Sequence, residues 1–172
     1  MARYSSIMAT TEIQIRAAQP ADAGAVADIH ALAWREAYLG IIPAVEIERT
    51  IARRGPVWWH GTLRRGRNIA VLDFAGERAG YASFGRGRVR GLAQGEIYEL
   101  YLRPEFQGVG LGRKLFEAVR KRLAADKLSG LVIWSLTANE RACGFYSAMG
   151  GEVNARAVER LGDIWLDKHA YT

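Results

Sequence analysis

The stretch RPEFQGVGLGRKL, Arg103 to Leu115, sets glycines at 108, 110 and 112 between a β-favouring run and a run with helical spacing. On its N-terminal side EIYELYLRP reads as a strand halted by Pro104, which cannot donate to a β-ladder. On its C-terminal side Leu111, Leu115, Val119 and Leu123 recur every four residues, with Glu117 four residues ahead of Lys121. Closely spaced glycines in such a turn let the backbone approach an anion, which the unpaired N–H groups and the positive end of the helix dipole attract. Gln107 in front and Arg113 and Lys114 behind suit a phosphate. The plainer alternative is a glycine-rich turn that only folds the helix back onto the sheet.

Two familiar phosphate loops fail on spacing. A P-loop needs GxxxxGK and then Ser or Thr, but Gly112 is followed by Arg113 and Lys114 by Leu115. A dinucleotide fingerprint needs GxGxxG, but Arg113 stands where the third glycine should be, and residues 128 to 138 hold no acid for a ribose.

Working outward, Ile13 to Arg16 alternates like a strand, and Pro20-Ala21-Asp22 opens a helix marked by Val26, Ile29, Ala33 and Ala37. WREAYLGIIP breaks at Gly40 and restarts at Pro43, giving a bent helical pair that runs to the RRG of residues 53 to 55. Pro56 to Arg65, with Trp58 and Trp59, suits either helix or loop. NIAVLDF and GYASFGR form a hairpin turned at GER, residues 76 to 78, and RGRVRGLAQG loops into EIYELYLRP. After the glycines and their helix, LVIWSL is apolar enough for a strand covered on both faces. Asn139 to Met149 is helical, and EVNARAVERLGDIWLDKHAY closes as two strands around Leu161-Gly162-Asp163. The order is mixed α/β, with residues 1–12 as a loose tail and 13–172 as one domain.

At 172 residues and 49% hydrophobic, the chain supports one well-buried core. Its 24 Lys and Arg against 18 Asp and Glu give a net charge of +6, which favours an anionic partner without naming it. A single cysteine leaves no intrachain disulfide framework and no cysteine-based zinc site, and points to a reducing compartment, the cytoplasm. No run approaches the roughly 18 apolar residues a bilayer span needs.

Gln107, Gly110 and Gly112 supply Gln-x-x-Gly-x-Gly, and with it the chain resembles the GNAT superfamily of acetyl-CoA-dependent N-acetyltransferases. The likeness extends to the preceding strand, to the following helix, and to NERACGFYSAMGG, where Asn139, Ala142, Phe145, Tyr146 and Gly150 are similar to that family's second motif. WREAYLGIIP is similar to its acceptor-side helices. The resemblance implies a mostly antiparallel sheet of six or seven strands with a splayed central parallel pair, EIYELYLRP beside LVIWSL, and about four helices. It implies acetyl-CoA as cofactor, with its pyrophosphate on Gln107, Gly108, Val109, Gly110, Leu111, Gly112 and Arg113. The pantetheine arm would lie against Leu100, Tyr101 and Leu102, near Asn139, Phe145 and Tyr146. The acceptor would be a small-molecule amine, a peptide N-terminus or a lysine, beside Trp34 and Tyr38. A homodimer, joined through the terminal strands, is implied by analogy with small members.

Acetyl transfer from a thioester requires a neutral amine, an oxyanion stabiliser and a proton for the departing thiolate. The resemblance makes Tyr146 the proton donor, though a core aromatic beside Phe145 is its plain alternative. For the base, Glu96 and Glu99 compete. Strand alternation puts them on opposite faces, Glu96 with Tyr98 and Glu99 with Tyr101. Counted back from Gln107, Glu96 falls where some members carry a base, so the resemblance makes Glu96 the expected base; a strand-end carboxylate in solvent or paired with a nearby arginine is the alternative. Asn139 either helps hold the cofactor or caps its helix. Cys143 has no neighbouring histidine, and His30, His60 and His169 are isolated, so no metal is expected. Two other readings remain: a basic nucleic-acid-binding module using RGRVRG, and a GNAT-like sensor that binds acyl-CoA without turnover.

Overall fold

The computed structural model describes residues 12–172, so the expected N-terminal tail lies outside the described residues except for Glu12. Strand β1 (Ile13–Ala17) leads through a 3₁₀ turn at Pro20–Asp22 into α1 (Ala23–Tyr38), followed by α2 (Ala44–Arg53) and α3 (Pro56–Arg64). Strands β2 (Ile69–Phe74), β3 (Glu77–Arg86) and β4 (Gly95–Leu102) follow, then α4 (Leu111–Ala125), β5 (Leu131–Leu136), α5 (Glu140–Ala148), β6 (Val153–Leu161) and β7 (Ile164–Tyr171). The seven strands form one sheet in the order β1-β2-β3-β4-β5-β7-β6. Every neighbouring pair is antiparallel except β4 and β5.

One reading left open is decided and one is corrected. Pro56–Arg64 is helix, which makes five α-helices among the described residues; Pro56 begins it, where a missing N–H costs nothing. The β2–β3 turn is Ala75-Gly76, not residues 76 to 78. Both take positive φ, 51° and 84°, the pair of left-handed residues that a two-residue hairpin needs, so Glu77 already belongs to β3.

Alternation along β2 divides the core between two faces. Ala70 and Leu72 point to the side covered by α4, where Leu111, Leu115, Val119 and Leu123 are all buried with Ile97 and Ile133. Ile69 and Val71 point to the other side, against Val26 and Ile29 of α1 and Trp59 and Leu63 of α3. With helices on both faces, the central strands cannot shift register without exposing apolar side chains.

Candidate active site

The glycines of the opening stretch serve two purposes. Gly108 and Gly110 have φ of +78° and +85°, which residues with a Cβ rarely adopt, and nothing lies within 4 Å of where a Cβ would sit on either. Gly110 is the N-cap of α4, and the first helical bond runs from Lys114 N–H to its carbonyl at 3.2 Å. The N–H groups of Leu111, Gly112 and Arg113 are thus left without helical partners on an open flank. Gly112 is constrained by packing instead: a Cβ there would stand 3.2 Å from Leu102 and 3.5 Å from Phe145, so its absence lets α4 close against β4 and α5. The Val109 side chain is exposed. Gln107 ties this loop to the strand before it, donating from Nε2 to the Leu102 carbonyl at 3.1 Å and to Glu36 of α1 at 2.8 Å. Glu36 also receives Arg141 of α5 at 3.1 Å, so one carboxylate joins the loop to both flanking helices.

Beside the loop the sheet opens. Strands β4 and β5 pair only where Gly95–Ile97 meets Leu131–Ile133. Leu100, Tyr101 and Leu102 pair with β3 on their other side, through Ala82, Tyr81 and Gly80, and have no strand partner toward β5. The gap belongs to a cavity of about 1640 Å³ that Gln107, Gly110, Leu100, Asn139, Phe145 and Tyr146 help to line. Tyr146 is buried between the rings of Phe145 and Tyr171, with centroids at 5.3 and 5.9 Å. Burial holds its phenol well above the ordinary tyrosine range, so it stays protonated. The Asn139 side chain accepts the Ala142 N–H at 3.1 Å, which is the capping role weighed for it from sequence.

The two carboxylates of β4 do not face apart. Ser83 lies opposite Glu99 and Gly85 opposite Glu96, with Tyr98 as the extra residue of a bulge, so both acids project to the β3 face that carries Tyr81 and Ser83. Plain alternation misplaces them because the bulge inserts one residue between them. Their surroundings differ all the same. Glu96 is 1% exposed and outside the cavity lining; its oxygens accept the Arg88 backbone N–H at 2.8 Å and the Arg88 guanidinium at 2.6 and 3.0 Å. Arg88, from the RGRVRG loop, also stacks on Tyr98 at 4.7 Å. Glu99 does line the cavity, where it accepts from Arg54 and from the Ser83 hydroxyl at 3.3 Å.

Trp34 and Tyr38 stand on the same side of the cavity, their rings 4.7 Å apart, and the Tyr38 and Tyr101 hydroxyls meet at 2.9 Å. Sequence reasoning missed Arg54 and left Trp58 undecided; the guanidinium of the first stacks on the ring of the second at 5.1 Å. The Arg53-Arg54 pair at the α2–α3 break was the available signal. Leu161, Leu166 and Lys168 of the β6–β7 hairpin also line the cavity, and its Gly162 packs on Glu46 of α2. His30 is buried among Trp34, Trp59 and Tyr101, and burial pushes it down to about 3, so it is neutral. Among the described residues no cluster of three His, Cys, Asp or Glu could hold a metal, and no helix is long and apolar enough to cross a membrane.

A strip of unpaired α4 amides leads into a gap beside β4, which suits an extended ligand with a phosphate at one end and amide groups along its length. Residues 25–150 match the model of the acetyltransferase (GNAT) family. The chain is 34% identical over 161 residues, 90% of either protein, to the L-amino acid N-acyltransferase MnaT of Escherichia coli. It is 32% identical over 114 residues to the L-methionine sulfoximine/L-methionine sulfone acetyltransferase of Pseudomonas paraeruginosa, a match that covers 64% of this chain and 66% of that one, slightly under two thirds. Among solved structures, the PaiA N-acetyltransferase of Thermoplasma acidophilum, in complex with coenzyme A, superposes with a TM-score of 0.74 at 17% identity, covering 91% of this chain and 98% of that one. A glycine loop capping a helix, a parallel strand pair that splays beside it, and a family match across most of the chain lead to one conclusion: this protein belongs to the GNAT family of acetyltransferases.

Proposed function

We propose that the chain transfers an acetyl group from acetyl-CoA to a primary amine, both held in the one cavity at the same time. The observation that carries this is the junction of the open α4 amides, the β4–β5 gap and the buried Tyr146 in a single space. Gln107, Gly108, Val109, Gly110, Leu111, Gly112 and Arg113 would hold the pyrophosphate, and Leu100, Tyr101 and Leu102 the pantetheine arm, with Asn139 and Phe145 along its other side. Acetyl-CoA supplies an activated acyl carbonyl and a thiolate leaving group.

The residues divide the remaining work. A backbone N–H of the unpaired half of β4 is directed at the carbonyl oxygen, where negative charge grows as the amine attacks. The new N–C bond would form as the C–S bond breaks, and Tyr146, which burial keeps protonated, would hydrogen-bond to the departing sulfur and pass it the proton as thiolate charge grows, the phenolate regaining one from solvent. Trp34 and Tyr38 wall the amine's approach. We assign reception of the amine to Glu99, which lines the cavity, rather than to Glu96, whose oxygens are taken up by Arg88; the amine's surplus proton passes to Glu99 or to water.

Relatives named for acting on L-amino acids and on methionine sulfoximine or sulfone make amines that bear a carboxylate the first acceptors to assay. A cytoplasmic homodimer completes the proposal; Val158 and Trp165 of the β6–β7 hairpin are 53% and 67% exposed and would meet a second copy. The test is amine-dependent release of free thiol from acetyl-CoA, with coenzyme A binding followed by calorimetry and mass by light scattering. Binding without release in the presence of any amine would leave a sensor of acyl-CoA.

A further inference from the structure

On the acceptor side of the cavity an ion pair stands with spare bonding capacity. Arg54 follows the C-terminus of α2, and one of its five N–H donors goes to Oε1 of Glu99. The rest make no hydrogen bond among the described residues, and the side chain is 33% exposed, toward the cavity. The guanidinium lies over the Trp58 ring at 5.1 Å, an attraction that supports its position at the cavity wall. Glu99 is tied more tightly: its side chain is 16% exposed, and Oε2 accepts from Ser83 at 3.3 Å.

A cationic edge thus faces the space, beside an anion on the strand that leads to the β4–β5 gap. Arg53 and Lys168 also line the cavity, Lys168 paired with Glu159 at 3.0 Å, and among its polar lining Trp34, Trp58, Ile42 and Leu166 offer apolar surface.

We infer that Arg54 and Glu99 together read the zwitterionic head of a free α-amino acid, Arg54 taking the α-carboxylate and Glu99 the α-amine, while an uncharged side chain rests on the apolar wall. The inference rests on the acetyl-transfer reading and narrows its acceptor class. An α-amino acid carries its two charges one carbon apart, opposite in order to the adjacent Arg54 and Glu99, so both contacts form at once and orient the nitrogen. The amine then stands at Glu99, one residue from Leu100, in the half of β4 that lacks a partner toward β5. A peptide N-terminus or a lysine side chain offers the amine without a carboxylate beside it, and leaves the guanidinium edge unmatched.

The test compares L-leucine, L-leucinamide and 3-methylbutylamine, which share a side chain and differ at the carboxylate, by thiol release from acetyl-CoA with the full chain. L-Leucine should exceed the other two in kcat/KM by about thirtyfold, the range expected when a charged hydrogen-bonding group loses its partner. Arg54→Gln should lower kcat/KM for L-leucine, mainly through KM, at least about tenfold more than it lowers that for 3-methylbutylamine, and Arg54→Lys should recover part of the difference. Equal rates for leucine and leucinamide in the parent would overturn the inference without any variant, and so would an Arg54→Gln loss that is the same for all three amines. If leucinamide is acetylated and leucine is not, the transfer reading stands and the inference falls. If no amine releases thiol, both fall.

Discussion

The two ends of the cavity are built on different plans. The cofactor end comes from one contiguous stretch, Gln107 to Arg113, and works through backbone: two left-handed glycines and the amides that open α4. The acceptor end is assembled from side chains of α1, the α2–α3 junction, α3, β4 and the β6–β7 hairpin, and Arg54 meets Glu99 across 45 residues of chain. A backbone site tolerates change in most side chains around it but not in its φ angles. A side-chain site can be retuned by one substitution, so a common cofactor can be kept while the acceptor varies.

Three experiments probe that division. The largest effect is expected where the two ends meet. Tyr146→Phe should lower kcat about a hundredfold with coenzyme A affinity within about twofold, because a proton donor is lost and the ring is kept. Since burial raises the phenol, no loss of rate from its ionisation should appear below about pH 10, its ordinary value. Rate-equal Tyr146→Phe enzyme would leave the leaving group without its proposed acid.

Next comes the backbone end. Gly110→Val places a β-branched residue at φ +85°, a strain of roughly 1–2 kcal/mol or more, and the loop can relieve it only by turning its amides away. Coenzyme A binding measured by calorimetry should weaken about tenfold, whereas Val109→Ala, at an exposed side chain, should leave it unchanged. Parent-like affinity in the valine variant would mean that this loop is not where the phosphates sit.

The smallest effect separates the two glutamates. Glu99→Gln should reduce turnover about fivefold near pH 6.5 and less as pH rises, because more acceptor amine is already neutral. Glu96→Gln should leave turnover within about twofold and lower stability by about 1–2 kcal/mol, since it weakens a buried, charge-assisted contact with Arg88. A crippled Glu96→Gln enzyme with an unchanged melting curve would restore the opposite assignment.

The cofactor end was legible because its signal is local: glycine spacing, a preceding Gln and a four-residue apolar repeat all fall inside about twenty residues of sequence. The core followed for the same reason, with Leu111, Leu115, Val119 and Leu123 all buried as their repeat demands. The acceptor end resisted. The bulge at Tyr98 leaves no mark in EIYELYL, yet it turns Glu96 to the face that alternation denies it. Trp58 and Trp59 suit helix or loop until α1 packs on Trp59, and the Arg54–Glu99 contact exists only after α2, α3 and the sheet have come together. Local chemistry identifies a phosphate loop; long-range packing decides which acid faces the substrate.

The strand order carries a consequence for how this enzyme comes into being on the ribosome. β7 is made after every other element described, yet it takes its place between β5 and β6, and its Tyr171 packs against Tyr146. Until β7 emerges, β6 has no neighbour and β5 lacks one edge, so the nascent chain can assemble β1 to β4 with their helices but must hold the remainder open. Its proposed proton donor is therefore secured only once β7 has paired, and without that strand the β5 edge beside the cavity would stay open.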